Sequence, residues 1–263
     1  MNKSKEIYFH LGLPKTASTY LQRSVFPFLE NIKYYKKHDY HYHKKDFETI
    51  NNKVLFTCEM DETLFEELDE LKKIHPNANI IIVFREHFDW IKSKYKYYIR
   101  KSGHLSFIEF YEGILIPKLK LHQKYYTSII KKLEMDFPSK YLILSHSMLK
   151  ENRYKFLKIM HDFMGIEIQN TYKYKKVKTA FSNKQLVVLR KYNSLYLYDE
   201  NRFKSEKKRK LYEKYRGALV FLVAFFASLN PNNGDIIDSE ISESKEEIRS
   251  FFKDDWDYVN QNL

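Results

Sequence analysis

The sequence predicts an α/β fold with a mostly parallel central sheet, covered by helices on both faces and followed by a helical C-terminal part. Three observations predict it. Four short apolar runs have strand character, at 6–11, 54–58, 79–84 and 140–145. Helical periodicity fills the intervals between them. The strand signal then fades after residue 165. Strands alternating with helices are the signature of parallel pairing through crossover helices.

The runs "EIYFHL", "VLFTC", "NIIIVF" and "KYLILS" are bounded by polar or turn residues, and three are rich in β-branched or aromatic side chains. Residues 61–74 place Leu64, Phe65, Leu68 and Leu71 on one stripe, with acids early and lysines late, as the helix dipole favours. Further helices are predicted over about 87–101, 106–134 and 149–164. Beyond residue 165 three more segments read as helices, with Ser182 and Ser239 as N-caps. There is no internal repeat and no Pro/Gly/Ser linker. The expectation is one domain over 1–263, divided into an α/β core (1–165) and a helical part (166–263).

The formal net charge is +12 over 263 residues. That balance suits polyanionic partners, or a solvated basic surface with no partner at all. No recognised RNA- or DNA-binding signature accompanies it, so no nucleic-acid partner is expected. The single cysteine, Cys58, excludes an intrachain disulfide and fits a reducing compartment. The N-terminus has no secretory pattern, so a cytoplasmic location is expected. The longest apolar run, 218–229, falls short of the about 20 residues that span a bilayer. It is expected to be a buried helix, with peripheral contact at the inner membrane face as the alternative.

Chemistry concentrates in "GLPKTASTY", where the first predicted strand ends and a helix opens. A helix start offers unpaired N–H groups and the positive dipole end, which together bind anions. Lys15 adds a charge, and Thr16, Ser18 and Thr19 add hydroxyls. The alternative is a capped helix start carrying a surface lysine. The Walker A pattern is absent: Lys15 follows Gly12 by three residues, and no second glycine precedes it. No strand ends in the aspartate that holds magnesium in P-loop NTPases. The run "IIIVFRE" meets Arg85 as its first polar residue.

These features together resemble the sulfotransferases that use 3'-phosphoadenosine 5'-phosphosulfate (PAPS). The family's loop P-K-[ST]-G-[ST]-[ST] stands here as Pro14, Lys15, Thr16, Ala17, Ser18, Thr19. Its second motif, an apolar strand ending in Arg with a Ser eight residues on, stands as Arg85 and Ser93. Downstream, "KYLILSHSMLKENRYKFLKIMHDFMGIE" resembles the fourth strand and following helix, while "FSNKQLVVLRKYN" and "IRSFFKDDWDYVNQNL" resemble bacterial helical tails.

The resemblance implies a P-loop-like three-layer sandwich whose 1–165 core binds nucleotide. Lys15, Thr16, Ala17, Ser18 and Thr19 would hold the 5'-phosphate end. Arg85 and Ser93 would hold the 3'-phosphate, the guanidinium through paired hydrogen bonds. Tyr20 and His146 fall at adenine-contact places, Tyr20 either stacking or simply packing. Lys15 would also stabilise the leaving oxygen, so the resemblance implies no metal. Glu59 would act as the general base, unless it caps the helix that follows. The implied product is adenosine 3',5'-bisphosphate (PAP), and the acceptor a hydroxyl of a carbohydrate or glycolipid. Ala17 departs from the family's loop glycine, and an alanine restricts the backbone there. His10 is expected to pack or orient the loop, and His38, His41 and His43 could rim an acceptor site. The competing readings are a P-loop small-molecule kinase and a non-enzymatic basic protein that binds nucleic acid or membrane.

Overall fold

The computed structural model describes residues 6–36, 53–60, 62–168, 181–195, 205–228 and 235–263. His38, His41, His43 and most of "YKKVKTAF" lie outside the described residues. Among the described residues five strands form one sheet: β1 (Ile7–Gly12), β2 (Ile32–Tyr35), β3 (Lys53–Glu59), β4 (Asn79–Phe84) and β5 (Tyr141–Ser145). Their order is β2-β3-β1-β4-β5, and every pairing is parallel. Four of the five match predicted runs. The edge strand β2 was not predicted, because four residues, "IKYY", with two side chains turned partly or fully to water carry too little alternation to register.

The helices are α1 (Ser18–Tyr20), α2 (Leu64–Ile74), α3 (His87–Lys101), α4 (Phe107–Phe110), α5 (Ile116–Leu119), α6 (Tyr125–Asp136), α7 (His146–Glu151), α8 (Arg153–Met164), α9 (Asn183–Leu195), α10 (Glu206–Ser228), α11 (Asp235–Glu243), α12 (Lys245–Phe251) and α13 (Lys253–Gln261). The helix expected over 106–134 is broken. Pro117 cannot donate to the ladder, a π-helical turn (Tyr111–Leu115) precedes α5, and Lys120 ends it at φ 50°. The helix expected over 149–164 divides at Asn152, whose side chain accepts the Lys155 N–H and starts α8. Ser182 does cap α9, in a reciprocal arrangement with Gln185. Ser239 is not an N-cap. The helix already begins at Asp235, and the Ser239 hydroxyl donates to Glu243 one turn on.

Two compact units divide the chain: residues 1–87, 122–177 and 251–263 form the first, 88–121 and 178–250 the second. This partition does not follow the expected break at 165/166. Strand signal marks where the sheet ends, whereas packing assigns α13 to the sheet unit and most of α3 to the helical one. In the first unit, α1 and α8 cover one face of the sheet, where Tyr20, Leu21, Phe156, Leu157 and Met160 cluster with Leu55, Ile81, Val83 and Leu144. On the other face Phe84 meets Tyr126 of α6 at 4.5 Å between ring centres. In the second unit, the Arg190 guanidinium makes two bonds to Glu240 (2.6 and 2.7 Å) and donates to the Tyr95 hydroxyl, tying α9 to α11 and α3. The apolar run lies on α10, and its large side chains are not all buried as expected: Val220 turns inward, while Phe221, Leu222, Phe225 and Phe226 face outward. Among the described residues no helix is long and apolar enough to cross a membrane.

Asp255 of α13 anchors the first unit. It accepts the backbone N–H of Tyr126 (2.8 Å) and of Thr127 (2.7 Å), and the Thr127 hydroxyl (2.6 Å). A carboxylate distant in sequence therefore caps α6, whose own N-cap residue, Lys124, supplies no side-chain bond. His87 Nε2–H donates to the same carboxylate at 3.0 Å, and its ring is sandwiched between Phe252 and Tyr126. Burial would raise the Asp255 pKa, but the bonds from His87, Thr127 and Tyr126 outweigh it and hold it below the usual range. Replacing Asp255 with alanine strips four donors of their acceptor in a dry site. The expected loss is about 3–5 kcal/mol of unfolding free energy in a urea titration, against roughly 0.5 kcal/mol or less for exposed Asp254→Ala.

Candidate functional site

Parallel pairing brings four chain segments to one edge of the sheet. Gly12 and Glu59, the last residues of β1 and β3, are direct partners, and the Met60 N–H donates to Gly12 O at 3.1 Å. Arg85 follows β4, and His146 follows β5. The carboxyl ends of parallel strands are where α/β sheets bind ligands.

The loop after β1 is held in an unusual backbone path. Lys15 has φ 72° and Ala17 φ 75°, both in the left-handed region. Side chains with a Cβ enter that region at a cost of about 1–2 kcal/mol each. The path is fixed from within: the Thr16 hydroxyl, fully buried, donates to Leu13 O at 2.6 Å, and Ser18 Oγ lies 3.4 Å from the same oxygen. A Cβ at Gly12 would sit 2.5 Å from Ser18 Oγ, so a larger residue there would displace the Ser18 hydroxyl. Ala17 O then accepts the N–H groups of Tyr20 and Leu21, and the helix begins. Strain of this kind is concentrated at functional sites.

Arg85 is directed at this loop. Its Nη1–H donates to Lys15 O at 3.2 Å, while the Tyr126 hydroxyl donates to Arg85 O at 3.0 Å. The structure thus brings together Lys15, Thr16, Ala17, Ser18, Glu59 and Arg85 within the first unit. Thr19 is half-buried at the start of α1. Tyr20 is buried in the cluster against α8, so its side chain packs beneath the loop. His146 opens α7, a helix capped by Ser145, whose hydroxyl accepts the Met148 N–H. Ser93 lies half-buried on α3, in the second unit.

A polar chain behind Glu59 was not predicted. Gln22 Nε2 donates to Thr57 Oγ1 (3.1 Å) and to Glu59 Oε1 (3.3 Å), and His10 Nδ1 lies 3.0 Å from the same Thr57 hydroxyl. Gln22 belongs to the π-helical turn Leu21–Val25, a widened turn of a kind frequent at functional sites. Within "LQRSV" it stands beside Arg23 and Ser24, so nothing in the sequence singles it out. His10 is fully buried and its Nε2 has no partner among the described residues. Burial lowers its pKa to about 3, so its ring is neutral.

No family model matches the chain, and no curated protein matches it in sequence. Solved structures do. The chain is similar to a sulfotransferase from Alicyclobacillus acidocaldarius, with a TM-score of 0.50 and 13% identity over 64% of this chain and 86% of that one. It also aligns with mouse sulfotransferase SULT7A1 complexed with PAP (TM-score 0.44, 14% identity, 63% of this chain, 61% of that one). A sulfotransferase domain from the curacin biosynthetic pathway aligns with a TM-score of 0.42 and 14% identity, over 63% of this chain and 76% of that one. The first likeness establishes the fold as the α/β sandwich of sulfotransferases.

The loop and the buried histidine each make a measurable demand. Ala17→Gly removes about 1–2 kcal/mol of left-handed strain and adds about 0.5–1 kcal/mol of unfolded-state entropy. The expected net gain is roughly 0.5–1 kcal/mol, read as a higher urea midpoint. For His10 the folded pKa of about 3 lies below the unfolded 6.5. The unfolded chain therefore takes the proton first, and stability present above pH 6.5 is lost as pH falls toward 3. Each pH unit removes about 1.4 kcal/mol, or about 2 kcal/mol between roughly pH 6.5 and 5. Burial also lowers the pKa values of His87 and His161, so both add to the same slope. Urea titrations across that range should show the decline, and His10→Gln should make it shallower while His87 and His161 keep the remainder.

Proposed function

We propose that the chain transfers a sulfuryl group from PAPS to a hydroxyl of an acceptor, in the class of carbohydrates or glycolipids. One observation carries the reading: the Arg85 guanidinium at the end of β4 is turned toward the Lys15 loop at the end of β1. A donor with a phosphosulfate at one end and a 3'-phosphate at the other needs two cationic sites at neighbouring strand ends. The sulfotransferase fold supports the same assignment.

In this reading the loop's N–H groups and Lys15 hold the 5' end of the donor, and Arg85 holds the 3'-phosphate. Thr19 adds a hydroxyl donor, and Ser18 does so by giving up its long 3.4 Å contact with Leu13 O. Thr16 contributes its backbone N–H, because its hydroxyl already closes the loop onto Leu13. His146 faces the adenine, and Tyr20 supports the loop from below. Glu59, steadied by Gln22, takes the acceptor's proton as its oxygen bonds to sulfur. The bond from sulfur to the 5'-phosphate oxygen breaks in line, and Lys15 stabilises the charge that gathers there. The sulfuryl group carries less negative charge than a phosphoryl group, so the nucleophile meets less repulsion.

Adenosine 3',5'-bisphosphate should raise the melting temperature without any metal, by mass action on the native state. The shift should vanish in Arg85→Ala and exceed any shift from ATP with magnesium. With labelled donor and a panel of cell-envelope glycans, Glu59→Gln should lower kcat roughly 10²–10⁴-fold and leave the bisphosphate shift intact. A bisphosphate shift without transfer to any glycan overturns the acceptor class alone. A larger response to ATP with magnesium overturns the donor.

A further inference from the structure

The long helix α10 presents a face that no reaction in the first unit uses. Its sequence is segregated along its length: the first eleven residues carry six basic side chains against two acidic ones, and the last twelve carry no charge. At 3.6 residues per turn, Tyr215, Phe221, Leu222, Phe225 and Phe226 fall within an arc of about 140°. Each of the five is more than half exposed. Val220, on the opposite side of the helix, is 4% exposed and marks the face packed against the rest of its unit. Lys207 and Lys208, both exposed, share the outward arc with the aromatic residues. Phe221 also meets Phe181, and Phe225 meets Phe226 edge to face, so the apolar end is a joined aromatic surface.

We infer that this face of α10 is a docking surface for an anionic lipid bilayer, with the helix lying in the plane of the interface. The chemistry is two-part. Aromatic and leucine side chains enter the boundary between headgroups and acyl chains, and lysines on the same arc meet the negative headgroups. A second copy of the chain fits less well, since it would press another molecule of net charge +12 against the first. A soluble acidic protein would satisfy the lysines and leave four large apolar side chains needing their own complement. The inference is independent of the reaction assigned to the first unit, and its test reads binding alone.

The full chain is floated with phosphatidylcholine vesicles prepared with and without phosphatidylglycerol. The anionic vesicles should carry roughly tenfold more protein than the neutral ones, and added salt should reduce that excess. The double variant F225D/F226D should fall to the neutral-vesicle level with an unchanged melting temperature, since both side chains are exposed. K207E/K208E should lose the preference for anionic lipid. Equal flotation of wild type and F225D/F226D overturns the inference, as does indifference to phosphatidylglycerol. It is also overturned if sedimentation shows a dimer that F225D/F226D dissolves, which makes the face a contact between copies.

Discussion

The first unit depends on one buried carboxylate. Asp255 draws the N-terminus of α6, the ring of His87 and the C-terminal helix to a single point. What it fixes is then passed on by contact. Tyr126, whose backbone Asp255 holds, donates its hydroxyl to the carbonyl of Arg85. Arg85 in turn donates to the carbonyl of Lys15, inside the loop at the end of β1. Three hydrogen bonds therefore connect the last helix of the chain to the strained turn at its beginning. His87 completes the arrangement from the other side, since it is neutral, stacked on two rings and only two residues beyond Arg85. A charge buried this deeply is costly to leave unpaired, which favours the arrangement that supplies its donors.

Such an anchor could not be read from the sequence, and the reason is physical. Asp255 and Tyr126 are 129 residues apart, and the three-residue stretch "KDD" around the aspartate looks like any acidic first turn of a surface helix. Periodicity reports which face of an element is apolar, and it reports nothing about which distant element an isolated polar residue will meet. What was legible was local. Four strands, the loop and Arg85 at a strand end all follow from short-range pattern, and the parallel sheet then places them on one edge without further information. The same limit explains α10. Its apolar run was expected to be buried because composition alone cannot distinguish a helix that turns an apolar face outward from a helix inside a core. Gln22 was missed because a π-helical turn shifts a side chain away from the position that ordinary helical spacing would give it.

The loop itself shows how local strain and distant support fit together. A glycine at position 17 would enter the left-handed region freely, yet this chain places an alanine there and a lysine two residues earlier in the same region. Neither conformation is locally favoured, so the path must be imposed by its surroundings. Thr16 and Ser18 impose it from inside the turn, Gly12 leaves the space that Ser18 needs, and Arg85 holds the Lys15 carbonyl from the neighbouring strand end. Turning that carbonyl toward Arg85 sets the orientation of the next peptide, and so of the N–H groups that open the helix. An anion bound at those N–H groups would add to the forces that keep the turn in place, and it would draw on Arg85 as well. The guanidinium that secures the loop in the protein alone is then the same group that would answer a second phosphate. On the proposed function, binding at the two ends of the donor would therefore be coupled through a single side chain.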